Sequence, residues 1–102
     1  MSNLLKVCAE AELPEGEMKV VAVDDEQILV LRHKGKVYAV SNICPHEYAE
    51  LSNGIVIDET IACPVHLSRF VLSTGEVLNP PAVRGLKTYR VHVVEGEIFV
   101  EV

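Results

Sequence analysis

The chain has 102 residues, 49% of them hydrophobic, and 9 basic residues against 15 acidic ones give it a net charge of −6. This length is enough for one domain, predicted over residues 1–102, to bury a core without disulfide bonds. The acidic balance argues against nucleic acid as a partner, because phosphate backbones are bound by basic patches with interleaved aromatic residues.

Short apolar runs rich in valine and isoleucine, separated by turn residues, predict an all-β chain. It begins with an edge strand over residues 4–8 and a loop with one helical turn over 10–16. Strands follow over 18–23, 27–33 and 37–41, and the turns between them carry the acidic, glycine and lysine residues typical of hairpin tips.

The second half of the chain continues in the same way. Residues 79–85 are predicted to form a crossing, because Pro80 and Pro81 have no amide hydrogen for a β-ladder. Six further strands are predicted, over residues 54–58, 60–62, 69–72, 76–78, 86–94 and 97–102. The predicted fold is an antiparallel β-sandwich or barrel with an inserted lobe at about 41–82.

Two short boxes of cysteine and histidine lie within this lobe. They read CPH at 44–46 and CPVH at 63–66. Each box offers one thiolate and one imidazole, the side chains that soft and borderline metals prefer. If the tips of the two loops face each other, they supply four ligands: Cys44, His46, Cys63 and His66.

The order of these ligands decides between two kinds of metal site. Two thiolates and two imidazoles form a common tetrahedral zinc site, but zinc modules usually carry like ligands in pairs. Here each box is mixed. This favours a two-metal cluster in which both sulfurs hold one iron and both imidazoles hold the other, with a structural zinc module as the alternative.

The boxes and their surroundings resemble the Rieske-type [2Fe-2S] proteins, in particular the small ferredoxins of bacterial ring-hydroxylating dioxygenase systems. LSNG at 51–54, RF at 69–70, TGEV at 74–77 and the two prolines at 80–81 carry the resemblance, which covers nearly the whole chain. It implies one [2Fe-2S] cluster per chain. It also implies a one-electron carrier between an NAD(P)H-dependent flavoprotein reductase and a terminal oxygenase that hydroxylates an aromatic substrate.

Other functions remain open at this point. The chain could be a small Rieske subunit of another oxidoreductase, such as nitrite reductase, or a carrier for a different monooxygenase. We expect no catalytic residue and no enzyme activity, because the sequence offers no general base, open metal position or nucleotide cradle. We expect a cytoplasmic monomer that does not contact a membrane, since there is no secretory signal pattern and no apolar run of about 18 residues.

Several residues in and beside the boxes are expected to surround the cluster: Pro45, Glu47, Pro64, Leu67, Ser68 and Phe70. In high-potential relatives a serine and a tyrosine donate hydrogen bonds to the cluster sulfurs, and extra cysteines join the two loops. Ser68 keeps the serine, Phe70 replaces the tyrosine, and Ala49 and Val65 replace the cysteines. The resemblance therefore implies a low reduction potential, toward about −150 mV.

Glu47 and Leu67 occupy positions where many relatives have glycine, and together with Glu50 they are expected to help select the redox partner. Arg69 is either a docking charge or a solvated strand residue.

Three residues outside the boxes have simpler predicted roles. Cys8 is expected to be a small buried hydrophobe. His33 and His92 are expected to be surface histidines, because neither has a partner at ligand spacing.

Overall fold

The computed structural model describes residues 3–44, 49–65, 68–78 and 85–102. Strands and turns make up nearly all of these ranges, which confirms the predicted all-β antiparallel fold. No helix within them has the length and hydropathy that a bilayer span requires. The strands are β1 Leu4–Ala9, β2 Met18–Val23, β3 Glu26–His33, β4 Lys36–Ser41, β5 Ile55–Ile57, β6 Thr60–Ala62, β7 Arg69–Val71, β8 Thr88–Tyr89, β9 Val91–Val94 and β10 Glu97–Glu101, with 3-10 helices at Glu10–Glu12 and Leu51–Asn53.

The strands form three antiparallel sheets in the described part of the chain. Their orders are β1-β10-β9, β2-β3-β4-β8 and β5-β6-β7. The second of these is the central sheet, because β3 is buried on both faces. Successive side chains of a strand point to opposite faces, so Leu29 and Leu31 pack on one side while Ile28 and Val30 pack on the other.

Two hydrophobic cores lie on either side of the central sheet. The first core joins it to β5-β6-β7, and the second core joins it to β1-β10-β9. The buried residues of the first core are Leu29, Leu31, Val40, Cys44, Leu51, Ile61, Cys63, Phe70, Leu72 and Leu86. Those of the second core are Cys8, Leu13, Ile28, Val30, Ala39, Ile98 and Val100.

The single strand predicted over residues 86–94 is wrong. The chain forms β8, which pairs with β4, and then β9, which pairs with β10 in a different sheet. Arg90 lies between them, and at this residue the chain passes from one sheet to the other. No glycine or proline lies at this point, so the sequence pattern predicted one continuous strand.

The second hairpin of the lobe is also shorter than predicted. Residues 76–78 do not form a strand, and only one bridge, between Phe70 and Val77, pairs this segment with β7. The 3-10 helix at Leu51–Asn53 was not predicted. Of the predicted crossing over 79–85, residues 79–84 lie outside the described residues.

Two glycines of the lobe allow the backbone to approach itself closely. A Cβ on Gly54 would lie 2.0 Å from the carbonyl oxygen of Ala62 in β6. A Cβ on Gly75, which has a φ of +78°, would lie 1.9 Å from the carbonyl oxygen of Leu86. Leu86 in turn donates its amide hydrogen to the Gly75 carbonyl, with an N–O distance of 2.6 Å. These contacts explain why glycine stands in both the 51–54 and the 74–77 motifs.

Substitution of Gly75 by alanine tests this close approach, and Gly16→Ala is the matched control. Both glycines have positive φ, but nothing lies within 4 Å of a Cβ on Gly16. Both variants should lose about 1 to 2 kcal/mol for the left-handed conformation. Gly75→Ala should lose about 1 to 3 kcal/mol more, because a tightly packed neighbour must move. Urea unfolding of both variants measures the difference, and equal losses would contradict the assignment.

Candidate metal centre

The two cysteines of the boxes are buried in the same hydrophobic core. Cys44 follows β4 and Cys63 follows β6, and their exposed fractions are 0% and 1%. Both belong to the first core, and neither forms a disulfide. Both thiols therefore lie in the same apolar core, each shortly after the end of a different strand.

Each of the two ligand loops is closed by a backbone hydrogen bond of the same kind. The amide of Cys44 donates to the carbonyl of Ala49, and the amide of Cys63 donates to the carbonyl of Ser68, each over 2.8 Å. In both loops the donor and the acceptor are five residues apart. Each cysteine therefore lies at the base of a four-residue span, although its histidine is two residues further along in one box and three in the other.

The described residues include part of the predicted site. Ser68 and Phe70 are buried, and Phe70 packs in the same core as the two cysteines. Pro64 is exposed at the second loop. Within the described residues no three Cys, His, Asp or Glu side chains form a metal site. Five of the predicted site residues lie outside the described residues: Pro45, His46, Glu47, His66 and Leu67.

Asn42 is a residue of the site that the sequence reasoning missed. It is fully buried, two residues before Cys44. Its Nδ2 donates to Gln27 Oε1 over 2.9 Å and lies 3.5 Å from Glu50 Oε1, and its Oδ1 accepts the amide hydrogen of Ser52 over 2.9 Å.

The backbone of Asn42 extends the same network. Its amide donates to the carbonyl of Gln27 in β3, and its carbonyl accepts the amide hydrogen of Leu51. Asn42 therefore connects both ends of the first ligand loop to the central sheet. An asparagine at a strand end usually indicates an exposed turn, so its pattern in the sequence gave no indication of burial.

Glu59, in the turn between β5 and β6, joins the lobe to the central sheet. Its carbonyl accepts the amide hydrogen of Leu72 over 2.9 Å. Its carboxylate lies 3.4 Å from the hydroxyl of Tyr38 and 3.5 Å from Nζ of Lys34. Burial raises the pKa of Tyr38, and the negative charge of Glu59 raises it further. The tyrosine therefore stays protonated and can donate to Glu59.

Cys8 and the two histidines outside the boxes differ in how far they are buried. Cys8 is buried in the second core as predicted, and burial raises the pKa of its thiol. His92 Nε2 lies 3.0 Å from Glu101 Oε2, at a partly exposed position. His33 is not a fully exposed surface residue, because its Nε2 is buried and has no hydrogen-bond partner within the described chain. Arg69 is partly buried, and its Nε donates to Thr60 Oγ1 over 3.0 Å.

Replacing Asn42 by alanine should destabilise the first ligand loop. Three side-chain hydrogen bonds are lost, two of them to the partly buried Gln27 and Ser52, so the unfolding free energy should fall by about 2 to 4 kcal/mol. Asn53→Ala is the matched control, because Asn53 is exposed in the same segment and should change stability by less than about 0.5 kcal/mol. Denaturant unfolding gives both values. Equal stability of the two variants would show that Asn42 does not hold the loop.

The chain is similar to known proteins over nearly its whole length. The model of the Rieske [2Fe-2S] domain matches residues 3–90. The 3-phenylpropionate/cinnamic acid dioxygenase ferredoxin subunit of Escherichia coli (strain K12) is 38% identical over 101 residues, covering 97% of this chain and 93% of that protein.

Two solved structures extend the comparison. One is the complex of reduced oxygenase and oxidized ferredoxin in carbazole 1,9a-dioxygenase. The matching chain of that complex is 34% identical to this chain, with a TM-score of 0.87, and the match covers 94% of this chain and 99% of that one. The other is a putative NADH-dependent nitrite reductase small subunit from Mycobacterium tuberculosis. It is 30% identical, with a TM-score of 0.89 and coverage of 100% and 96%.

Proposed function

Because this chain belongs to the Rieske [2Fe-2S] domain family, we propose that it is the ferredoxin component of an aromatic-ring dioxygenase system. Its cofactor is a Rieske-type [2Fe-2S] cluster. When bound, the cluster accepts one electron and later releases it. The observation that carries the proposal is the pair of buried thiols at the bases of two loops closed in the same way.

The donor atoms of the described residues fit this cofactor. Cys44 and Cys63 share one core and are not joined by a disulfide, and we propose that their two sulfurs would hold one iron of the cluster. A thiolate in apolar surroundings is costly, and a bound metal would compensate its charge. We propose His46 and His66 as the ligands of the second iron. Because the chain belongs to the Rieske [2Fe-2S] family, we no longer consider the structural zinc site that the sequence left open.

The burial gradient of the second loop suggests where electrons enter and leave. Cys63 is buried, whereas Val65, two residues later, is 50% exposed. The loop therefore reaches from the core to the surface within two residues, and its histidine follows next. We propose that electrons pass through the histidine side of the cluster, within the lobe at about 41–82. Neutral imidazole ligands also make reduction easier than in an all-cysteine site.

The proposed partners are a flavoprotein reductase, which supplies electrons from NAD(P)H, and a terminal oxygenase, which accepts them. The oxygenase is supported by the complex in which a 34% identical ferredoxin was solved. The chain itself binds no aromatic substrate and is not an enzyme. It acts as a cytoplasmic monomer, and its complexes with both partners are transient.

A second candidate function is the small subunit of a nitrite reductase. The similarity to the Mycobacterium tuberculosis subunit favours it, because that likeness covers the whole of this chain.

Electron transfer to an oxygenase tests the function directly. The loaded protein, reduced with dithionite and freed of excess reductant, should be reoxidised by the terminal oxygenase of the Escherichia coli 3-phenylpropionate/cinnamic acid system. Product formation in the presence of substrate and oxygen measures the transfer. A permanent complex with a nitrite reductase large subunit on size exclusion, without transfer to the oxygenase, would instead support the second function.

Replacing the proposed ligands should remove the cofactor. Cys44→Ser and Cys63→Ser should each lose the iron and acid-labile sulfide that the wild type contains, because thiolates hold the inner iron. Cys8→Ser is the control, since Cys8 is also a buried thiol but lies in the second core. It should retain the full iron and sulfide content. Retention by both ligand variants would reject these assignments.

The surroundings of Phe70 lead to an expected reduction potential. Phe70 packs in the core with both cysteines but has no hydrogen to donate to a sulfur, so the midpoint should lie toward about −150 mV. Phe70→Tyr should raise it, because a buried hydroxyl seeks an acceptor and hydrogen bonds to the sulfurs raise the potential. Electron paramagnetic resonance during a redox titration measures both. A wild-type midpoint well above zero would contradict the expectation.

A further inference from the structure

The β5-β6-β7 sheet has a second face that points away from the first core. Val56, Ile61 and Phe70 are paired across the three strands and face the first core. Residues on either side of them along each strand must therefore face outward. Ile55 and Ile57 are exposed on this outer side, by 59% and 42%.

One row of this outer face crosses four segments of the chain. Ile55 pairs with Ala62 and Ala62 pairs with Arg69, while Leu78 donates its amide hydrogen to the carbonyl of Arg69 over 2.8 Å. At about 4.8 Å per segment, the row is roughly 14 Å long. Leu78 is 50% exposed at the end opposite Ile55. We call Ile55, Ala62, Arg69 and Leu78 the outer row.

The side chain of Arg69 reaches across the middle of this face. Arg69 pairs with Ala62, and its Nε donates to Thr60 Oγ1 on the same strand, β6. Thr60 and Ala62 are buried although they belong to the outer face. An arginine stem of this kind adds apolar surface. Arg69 is therefore part of the face, and its partly buried position does not fit a fully solvated charge.

The outer row contains no carboxylate, although the chain has 15 acidic residues. The acidic residues of this sheet lie further from the metal centre. Glu76 is opposite Val71 in the next row, and Asp58 and Glu59 form the turn beyond it. Within the β5-β6-β7 sheet, the row beside the second loop thus carries no carboxylate, whereas Glu50, outside this sheet, is exposed next to the first loop.

The outer row is continuous with the second ligand loop. Ala62 immediately precedes Cys63, and Val65 of that loop is half exposed. A protein that comes close enough to the loop to exchange an electron therefore lies next to the outer row. A similar ferredoxin has been solved in complex with an oxygenase.

We propose that the outer row, together with Val65, is the docking surface for the terminal oxygenase, and that it binds an apolar patch on that partner. The inference rests on the proposed function and adds the surface to it. Interfaces of electron carriers are small and short-lived. A few exposed aliphatic side chains suit this purpose, because they bind without the long-range attraction of charges and release the partner readily.

The test compares two double variants of the loaded protein. Ile55→Ser with Leu78→Ser removes both apolar ends of the outer row. Val93→Ser with Val94→Ser is the control, because these residues are 46% and 50% exposed on β9, in a different sheet. Iron content and the visible spectrum should be unchanged in both. The probe is the terminal oxygenase of the Escherichia coli 3-phenylpropionate/cinnamic acid system, and reduced protein is mixed with it in a stopped-flow instrument.

The outer-row variant should need about tenfold more protein for half-maximal transfer, as expected for the loss of about 1.4 kcal/mol of binding. Its maximal rate should stay within about twofold of the wild type, because the ligands are untouched. The control variant should match the wild type. Raising the salt concentration from about 50 to 500 mM should shift half-saturation by less than about threefold, since apolar contacts are not screened.

The possible failures have separate meanings. If wild-type protein does not reduce the oxygenase at any concentration, the proposed function and the docking surface both fall. If wild type reduces it and the outer-row variant behaves as the control does, the docking surface alone is overturned. A strong loss of affinity in salt with no effect of the double substitution would assign docking to charges. An effect on transfer from the reductase but not to the oxygenase would also overturn the assignment.

Discussion

The structure depends on two thiols that are buried in one hydrophobic core, close after the ends of two different strands. Cys44 and Cys63 lie in the first core and are almost completely removed from solvent. Ionised sulfur is unfavourable in such surroundings unless a positive charge compensates it. A metal bound by the two sulfurs would compensate this charge, and the packed core keeps both side chains away from solvent.

The rest of the lobe holds these two positions in place. Both loops are closed by an amide of the cysteine and a carbonyl five residues later. Asn42 adds a side-chain network on the first loop, and Glu59 ties the lobe to the central sheet. At Gly54 and Gly75 the backbone segments approach so closely that a side chain would collide with a carbonyl. The lobe is thus positioned by backbone contacts together with the side chains of Asn42 and Glu59.

The surface of the lobe is divided in a way that suits a carrier. On the β5-β6-β7 sheet, Ile55 and Leu78 lie in the row beside the second loop, and the acidic residues Asp58 and Glu59 occupy the turn at the other end of the strands. A net charge of −6 keeps carriers apart from one another. A partner can then be recognised at the apolar region without a strong electrostatic hold, which favours rapid exchange between two redox proteins.

The sequence by itself determined the strand class and, to within one residue, the bounds of most strands. The predicted strands over 18–23 and 60–62 have the bounds of β2 and β6, because alternating side chains and turn residues are local properties. The buried ILVL run of β3 was also visible as a strand. The tertiary structure alone decided three other features. It split residues 86–94 at Arg90, buried Asn42, and turned Ile55 and Leu78 to one outer face. Each of these depends on which distant segment lies alongside, and pairing between distant segments leaves no periodic pattern in the residues that take part in it.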